Sequence, residues 1–246
     1  MEPIAYRDMV AVEETHWWFA ARRQILDTLL SSLPLSPDSH ILDIGCGSGG
    51  NLSMLARHGR LDAAEYDATA REAALARGVA DRVAACELPH EFPFDDEMFD
   101  LIVMLDVLEH IEDDAGTVEV VKQHLNPSGW VVITVPAFPF LWSDHDERGH
   151  HFRRYSPARL NQLFVGAGLK PEYQGYFNFW LFPVAVVLRL MRRIAPSEET
   201  PRITIPPQPL NHILKWLFAT ERFAMGRVAL PFGVSYIVSA RREKPH

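Results

Sequence analysis

One stretch limits what this chain can become: Ile41-Leu42-Asp43-Ile44-Gly45-Cys46-Gly47-Ser48-Gly49-Gly50. It reads as a short apolar strand that breaks into a glycine-rich turn and runs on into a helix beginning near Asn51. Glycines let backbone N–H groups approach a ligand with no Cβ in the way. The helix N-terminus behind the turn adds unpaired donors and partial positive charge. Gly45, Gly47 and Gly50 fit G-x-G-x-x-G, the spacing that cradles a dinucleotide pyrophosphate. Asp43 argues for a different ligand. Two residues ahead of the first glycine, a carboxylate suits an ammonium group better than a pyrophosphate.

Composition narrows the rest. With 246 residues, 48% of them hydrophobic and 23% charged, the chain is expected to form one generous domain, or one domain carrying an insertion. A formal charge of −8 speaks against a nonspecific nucleic-acid binder. Only Cys46 and Cys86 occur. The first lies inside the glycine turn, so no structural disulfide and a reducing cytoplasm are expected. The opening Met1-Glu2-Pro3-Ile4 has neither the basic nor the apolar region of a signal peptide. No uncharged run approaches the ~20 apolar residues of a spanning helix.

In chain order, residues 1–33 read as helix in two pieces, with residues 1–35 a cover over the site. Their centre is His16-Trp17-Trp18-Phe19-Ala20-Ala21-Arg22-Arg23. Neighbouring helical residues point about 100° apart, so Trp17 and Trp18 cannot both face the core; one of them can line a pocket, with Arg22 or Arg23 meeting a ligand carboxylate. A plain aromatic docking face accounts for the segment equally well. After the turn come a helix to Arg57 and a second strand, Arg60 to Asp67, ending in acid. Glu65 lies about twenty residues past the turn, where α/β nucleotide folds place the carboxylate that grips ribose hydroxyls. Asp67 is better placed to cap a helix over Ala68–Arg77. Strands follow at Ala80–Cys86, Leu101–Leu105 and Trp130–Pro136, each a near-continuous apolar run, which implies a parallel sheet covered on both faces.

The glycine stretch, Phe99-Asp100-Leu101-Ile102-Val103 with Asp106-Val107-Leu108-Glu109-His110-Ile111, and the Leu125-Asn126-Pro127-Ser128-Gly129 turn together resemble class I S-adenosylmethionine (SAM)-dependent methyltransferases over about residues 40–173 plus the last strand. The H-W-W-F-x-x-R segment is similar to the opening of bacterial members. The resemblance implies a Rossmann-like, doubly wound, seven-stranded sheet, mostly parallel with an antiparallel edge hairpin. It implies SAM as methyl donor and S-adenosylhomocysteine (SAH) as product. It places Gly45, Cys46, Gly47, Gly49 and Tyr66 with Asp43 at the cofactor, Glu65 at the ribose, and Glu87 and Leu88 at the adenine. Leu105 and Asp106 border the methionine part, and Trp18 and Arg22 close from the N-terminal segment. His110 is read as a packed helix histidine. The glycine spacing still admits an NAD(P)-dependent oxidoreductase, and a non-catalytic SAM-binding module is the third reading.

The loop Ser143–Tyr155 is the densest polar cluster. Leaving the fifth strand, it belongs on the functional side of an open sheet. It reads as a solvated loop capping the helix at Ser156, as a general-base site built on His145 or His150, or as a one-cation site from His145, Asp146 and His150; no metal is predicted. Arg153, Arg154 and Tyr155 are expected to clamp an anionic group of the substrate. The core is expected over residues 36–176 and 232–246. Residues 177–231 form an apolar helical insertion between the last two strands: a cap, a homodimer face, or a peripheral membrane contact with an apolar wedge and arginine flank. The overall expectation is an O-methyltransferase of a small-molecule or lipid-like acceptor, cytoplasmic and in contact with membrane if the insertion meets lipid.

Overall fold

The computed structural model describes residue 10, residues 12–194 and residues 204–242. Parts of the expected cover, of the insertion and of the C-terminus lie outside the described residues. The centre is a seven-stranded sheet in the order β3-β2-β1-β4-β5-β7-β6: β1 His40–Ile44, β2 Arg60–Glu65, β3 Arg82–Ala85, β4 Phe99–Leu105, β5 Leu125–Pro136, β6 Leu169–Phe177 and β7 Ser235–Arg242. The first five strands pair in parallel, and β7 runs antiparallel to both β5 and β6. The predicted sheet and its antiparallel edge hairpin are therefore both present. Strands β1 and β4 carry the apolar runs that made them legible; Ile41, Leu42 and Leu101 to Met104 are wholly buried. Two apolar clusters, one on each face, share these strands alternately, as a period of two requires.

The chain enters the sheet at β1, winds outward to β3 and returns to β4 beside β1. Carboxyl ends of β1 and β4 thus diverge to opposite halves of the fold, the crevice in which open α/β sheets hold ligands. Helix α1, Trp17–Leu30, packs on this end with His16 accepting the Trp18 N–H at 3.3 Å as its cap. Short α2 (Leu52–Leu55) follows the glycine turn, and α3 (Ala68–Ala76) is capped by Asp67, whose carboxylate accepts the Ala70 N–H at 2.8 Å, as expected. Helix α4 spans Asp114–Gln123.

One expectation changes in detail. Asn126–Gly129 is drawn into β5 as a bulge: Phe99 pairs with Leu125, but Leu101 pairs with Trp130. Asn126 holds it by donating to Asp100 at 2.7 Å. The polar loop after β5 also contains a short helix, α5 (Asp144–Arg148), before α6 (Pro157–Gly166).

The insertion between β6 and β7 supplies α7 (Phe182–Ile194) and α8 (Gln208–Ala219). Helix α8 lies along α1. Asn211 accepts the Trp17 N–H at 2.9 Å and donates to the Thr15 carbonyl at 3.0 Å, so the insertion caps the first helix. Trp17 meets Phe218 edge-on at 6.1 Å.

Candidate active site

The glycine turn folds as its residues dictate. Gly45 has φ +71°, its N–H donates to the Ala64 carbonyl at 2.8 Å, and an added Cβ would come within 2.9 Å of one Val107 methyl and closer to the other. The turn therefore abuts the segment leaving β4. Gly47, at φ +55°, faces open space, and its N–H donates to Glu65 Oε2 at 2.8 Å. The other Glu65 oxygen accepts the Asp67 N–H at 2.9 Å. Tyr66 projects outward. Glu87 is exposed and Leu88 buried just beyond β3, whose last residue, Ala85, pairs with Glu65. Gly45, Cys46, Gly47, Gly49, Glu65, Glu87 and Leu88 thus gather along the carboxyl ends of three neighbouring strands.

Asp43 lies beneath the turn, 1% exposed, with Oδ2 lacking any hydrogen-bond partner. Loss of hydration, and secondarily the Glu65 carboxylate, push its pKa up to about 8. A buried orphan carboxylate is costly unless a cationic group completes it. A ligand ammonium fits that need, and a pyrophosphate would worsen it.

Leu105 and Asp106 end β4, with Asp106 at φ +61°. Arg22 of α1 ion-pairs with Asp106 and donates to Thr134 Oγ1 at 2.7 Å; Thr134 in turn donates to Asp106 at 3.0 Å. The guanidinium also lies over the Trp18 ring, 5.1 Å from its centroid. The carboxylate that Arg22 meets here is the chain's own, so α1 is stapled across β4 and β5. On the far side of the turn, Arg77 pairs with Glu13 and donates to the Ser48 carbonyl at 2.6 Å, while Ser48 Oγ donates to Glu13 at 2.7 Å.

The loop after β5 departs from expectation. Asp146 is fully buried, where Arg154 grips both its oxygens at 2.7 and 3.0 Å and Ser143 donates at 2.8 and 3.0 Å. Burial alone would raise its pKa, but His151 and Arg154 hold it well below the carboxylate range. Of the expected His145–Asp146–His150 grouping, Asp146 spends its carboxylate on Arg154. The residues expected to clamp an anion are also engaged within the chain. Arg154 is consumed by Asp146 and the Ala137 carbonyl, Arg153 by Asp114 at 2.9 Å and the Glu112 carbonyl at 2.7 Å, and the wholly buried Tyr155 donates to Leu108 and Asp114 at 3.3 and 3.1 Å. His150 is exposed at φ +55°; the side chain of His145 lies outside the described residues.

What the loop does place inward is His151, whose Nδ1 is 3.0 Å from Asp146 Oδ1. Its ring stands perpendicular to that of His110, 4.6 Å away. Burial, then the neighbouring imidazole, push the His110 pKa down to about 4. Glu109 beside it is 1% exposed with Oε2 unpartnered. Its burial, then Asp106, raise its pKa well above the carboxylate range. The sequence reading passed over Glu109 and His151. The available signal was an acid–imidazole pair just past β4 and a second imidazole pair, His150-His151, just past β5.

A model of a methyltransferase domain family matches residues 17–174. The chain belongs to that methyltransferase family. Among curated proteins it is 27% identical over 173 residues to the "Probable S-adenosylmethionine-dependent methyltransferase" of Mycolicibacterium smegmatis, covering 68% of this chain and 64% of the relative. Matches to the curated relatives span 42% to 64% of those proteins' own lengths. Among solved structures, the methyltransferase in complex with the Haloferax volcanii Trm112 methyltransferase activator superposes with a TM-score of 0.63 at 19% identity, covering 99% of this chain and 96% of that one. The geranyl diphosphate C-methyltransferase of Streptomyces coelicolor, in complex with Mg2+, geranyl diphosphate and SAH, gives 0.57 at 16% identity, covering 87% and 78%. These likenesses establish the Rossmann-like class I methyltransferase fold. The family assignment supports SAM as the ligand of this domain and disfavours a nicotinamide.

Proposed function

We propose that this methyltransferase moves a methyl group from SAM to a hydroxyl oxygen of a lipid-like acceptor met at a membrane surface. The observation that carries the SAM reading is the orphaned, buried Asp43 carboxylate behind the glycine turn. It suits the ammonium of the methionine part, bordered by Gly45, Cys46, Gly47, Gly49, Leu105 and Asp106. Glu65, with Tyr66 beside it, takes the ribose by exchanging its bond to the Gly47 N–H for the diol. Glu87 and Leu88 take the adenine. Trp18 and Arg22 hold the cover in place through Asp106. Residues 36–176 with 232–246 act as the transfer core, and residues 1–35 with 177–231 as its cover.

SAM supplies an electrophilic methyl carbon on a sulfonium. The acceptor O–C bond forms as the S–C bond breaks, the electron pair returns to sulfur as SAH, and the hydroxyl proton leaves. Held in line in a dry site, that displacement needs little besides positioning. A hydroxyl also needs an outlet for its proton, and His145 and His150 on the loop are the proposed route to solvent. The Glu109, His110 and His151 group supports an oxygen acceptor, since an amine or a thiolate would need less assistance.

Support for a lipid-like acceptor comes from the insertion. Val184, Val187, Leu188 and Met191 form one exposed stripe along α7, Trp180 is exposed just ahead of it, and Ile213 and Trp216 are exposed on α8. Residues 177–231 contain seven Lys and Arg against three Asp and Glu, a formal +4 on a chain of −8. An apolar, tryptophan-bearing face with local positive charge matches an anionic bilayer surface. Among the described residues no helix is long and apolar enough to cross a membrane. The test is transfer from 13C-methyl SAM to a panel of lipid alcohols, phenols and amines in mixed micelles, with the product read by NMR. An O-methyl signal is expected. Label found only on nitrogen or carbon would contradict the hydroxyl assignment.

A further inference from the structure

We infer that Glu109, His110 and His151 form a site for one divalent first-row transition cation at the acceptor side. Their ligand atoms all lie within 4.8 Å of one another, a spread that small side-chain movements close to coordination distance. Three features point to an ion rather than to an ordinary polar cluster. Glu109 is 1% exposed and its Oε2 has no hydrogen-bond partner, so the group contains a buried, unsatisfied carboxylate oxygen. His151 has the outer carboxylate partner that orients a metal-bound histidine. His151 Nδ1 faces Asp146, itself locked by Arg154 and Ser143. Finally, the Leu108–His110 turn leaves the carboxyl end of β4 and the loop leaves that of β5, and the Phe152 N–H donates to the Glu109 carbonyl at 2.8 Å, joining the two.

A second acid–imidazole group, His40, Asp62 and Glu97, meets the same spacing. There Arg82 already bridges Asp62 and Glu97, donating to them at 2.9 and 2.6 Å, and His40 and Arg60 open β1 and β2 at the opposite end of the sheet. That group is complete as an ion-pair network.

Two imidazoles and a carboxylate suit zinc, manganese, iron or cobalt rather than calcium, and three protein ligands leave positions open. An acceptor oxygen bound there would lose its proton more readily, as metal-bound water does. That catalytic role rests on the hydroxyl-acceptor reading; the binding of the ion does not.

The test uses the full chain, stripped with chelator and titrated with Zn2+ or Co2+ alone. Bound metal is measured by elemental analysis after dialysis, and the cobalt form by its visible absorption. One ion per chain is expected, with affinity falling roughly 100-fold or more in Glu109→Gln and in His110→Ala. The outer change Asp146→Asn is expected to cost about 10–100-fold, and His212→Ala on α8 to cost nothing. SAH titration of the same variants shows whether the fold and cofactor site persist. No stoichiometric uptake, or uptake unchanged in Glu109→Gln and His110→Ala while SAH still binds, would overturn the inference and leave the methyl-transfer reading standing. Loss of SAH binding by the unaltered chain would instead remove that reading.

Discussion

Gly45 and Gly47 stand two residues apart and answer to different demands. Both hold positive φ, where an alanine costs about 1–2 kcal/mol of backbone strain. At Gly45 the added Cβ also runs into both Val107 methyls, whereas at Gly47 it meets nothing within 4 Å. Gly45→Ala is therefore expected to lower folding stability by more than about 3 kcal/mol, adding overpacking to strain. Gly47→Ala should lose only the strain yet bind SAH more weakly, because its face is the one left open to a ligand. Urea unfolding beside SAH titration separates the two effects. Asp43 gives the pH dependence. Its folded pKa is raised, to about 8. The stability it contributes is full below the ordinary carboxylate range and is lost as pH rises through 8. Between pH 6 and 9 the Tm of the ligand-free protein should fall further than that of Asp43→Asn, while SAH affinity should rise over the same window only where Asp43 is present. Parallel Tm profiles would contradict the assignment. The Asp67 cap, and the positions of Asp43 and Glu65 near the carboxyl ends of β1 and β2, were legible from spacing along one strand–turn–helix unit. His151 was not: choosing among His145, His150 and His151 depends on a buried Asp146–Arg154 pair that only the folded loop reveals.

Elements are joined by contacts that no local pattern announces. Arg22 and Asp106 are 84 residues apart, and the Asn211 bond to Trp17 spans 194. Sequence periodicity gave α1 its helix and its aromatic face, but not the carboxylate its arginine would find. Arg22→Ala takes the guanidinium from the partly exposed Asp106, which keeps only the Thr134 hydroxyl, and from the buried Thr134. A loss of about 2–3 kcal/mol is expected in chemical unfolding, less than for a fully buried pair because Asp106 keeps some hydration. Asn211→Ala strips one N–H acceptor from the start of α1 and should cost about 1–2 kcal/mol. Because both act on one cover, limited proteolysis ahead of Trp17 should accelerate in each variant while the sheet stays intact.

For the whole molecule, the apolar runs at β1, β4 and β5 and the helices between them sufficed to place the parallel sheet, and the resemblance supplied its antiparallel edge. The long apolar span before β7 was legible as helical, but not as a partner of α1, since nothing local encodes that docking. Its exposed stripe of Val184, Val187, Leu188 and Met191, with Trp180 just ahead of it, carries the large-scale prediction. Cosedimentation with phosphatidylglycerol-rich vesicles should fall with salt, because the basic flank is screened. It should also fall in a Val187→Asp plus Trp216→Asp variant. Salt-independent dimerisation of the unaltered chain without vesicle binding would favour a homodimer face instead.

The most direct test of the account is isothermal titration of the purified chain with SAH, in parallel with an Asp43→Ala plus Glu65→Ala variant and with NADH. Binding of SAH to the unaltered chain, lost in the variant and absent for NADH, is the result expected if Asp43 and Glu65 hold the two ends of the cofactor. SAH binding that survives the double substitution, or NADH bound in its place, would contradict it.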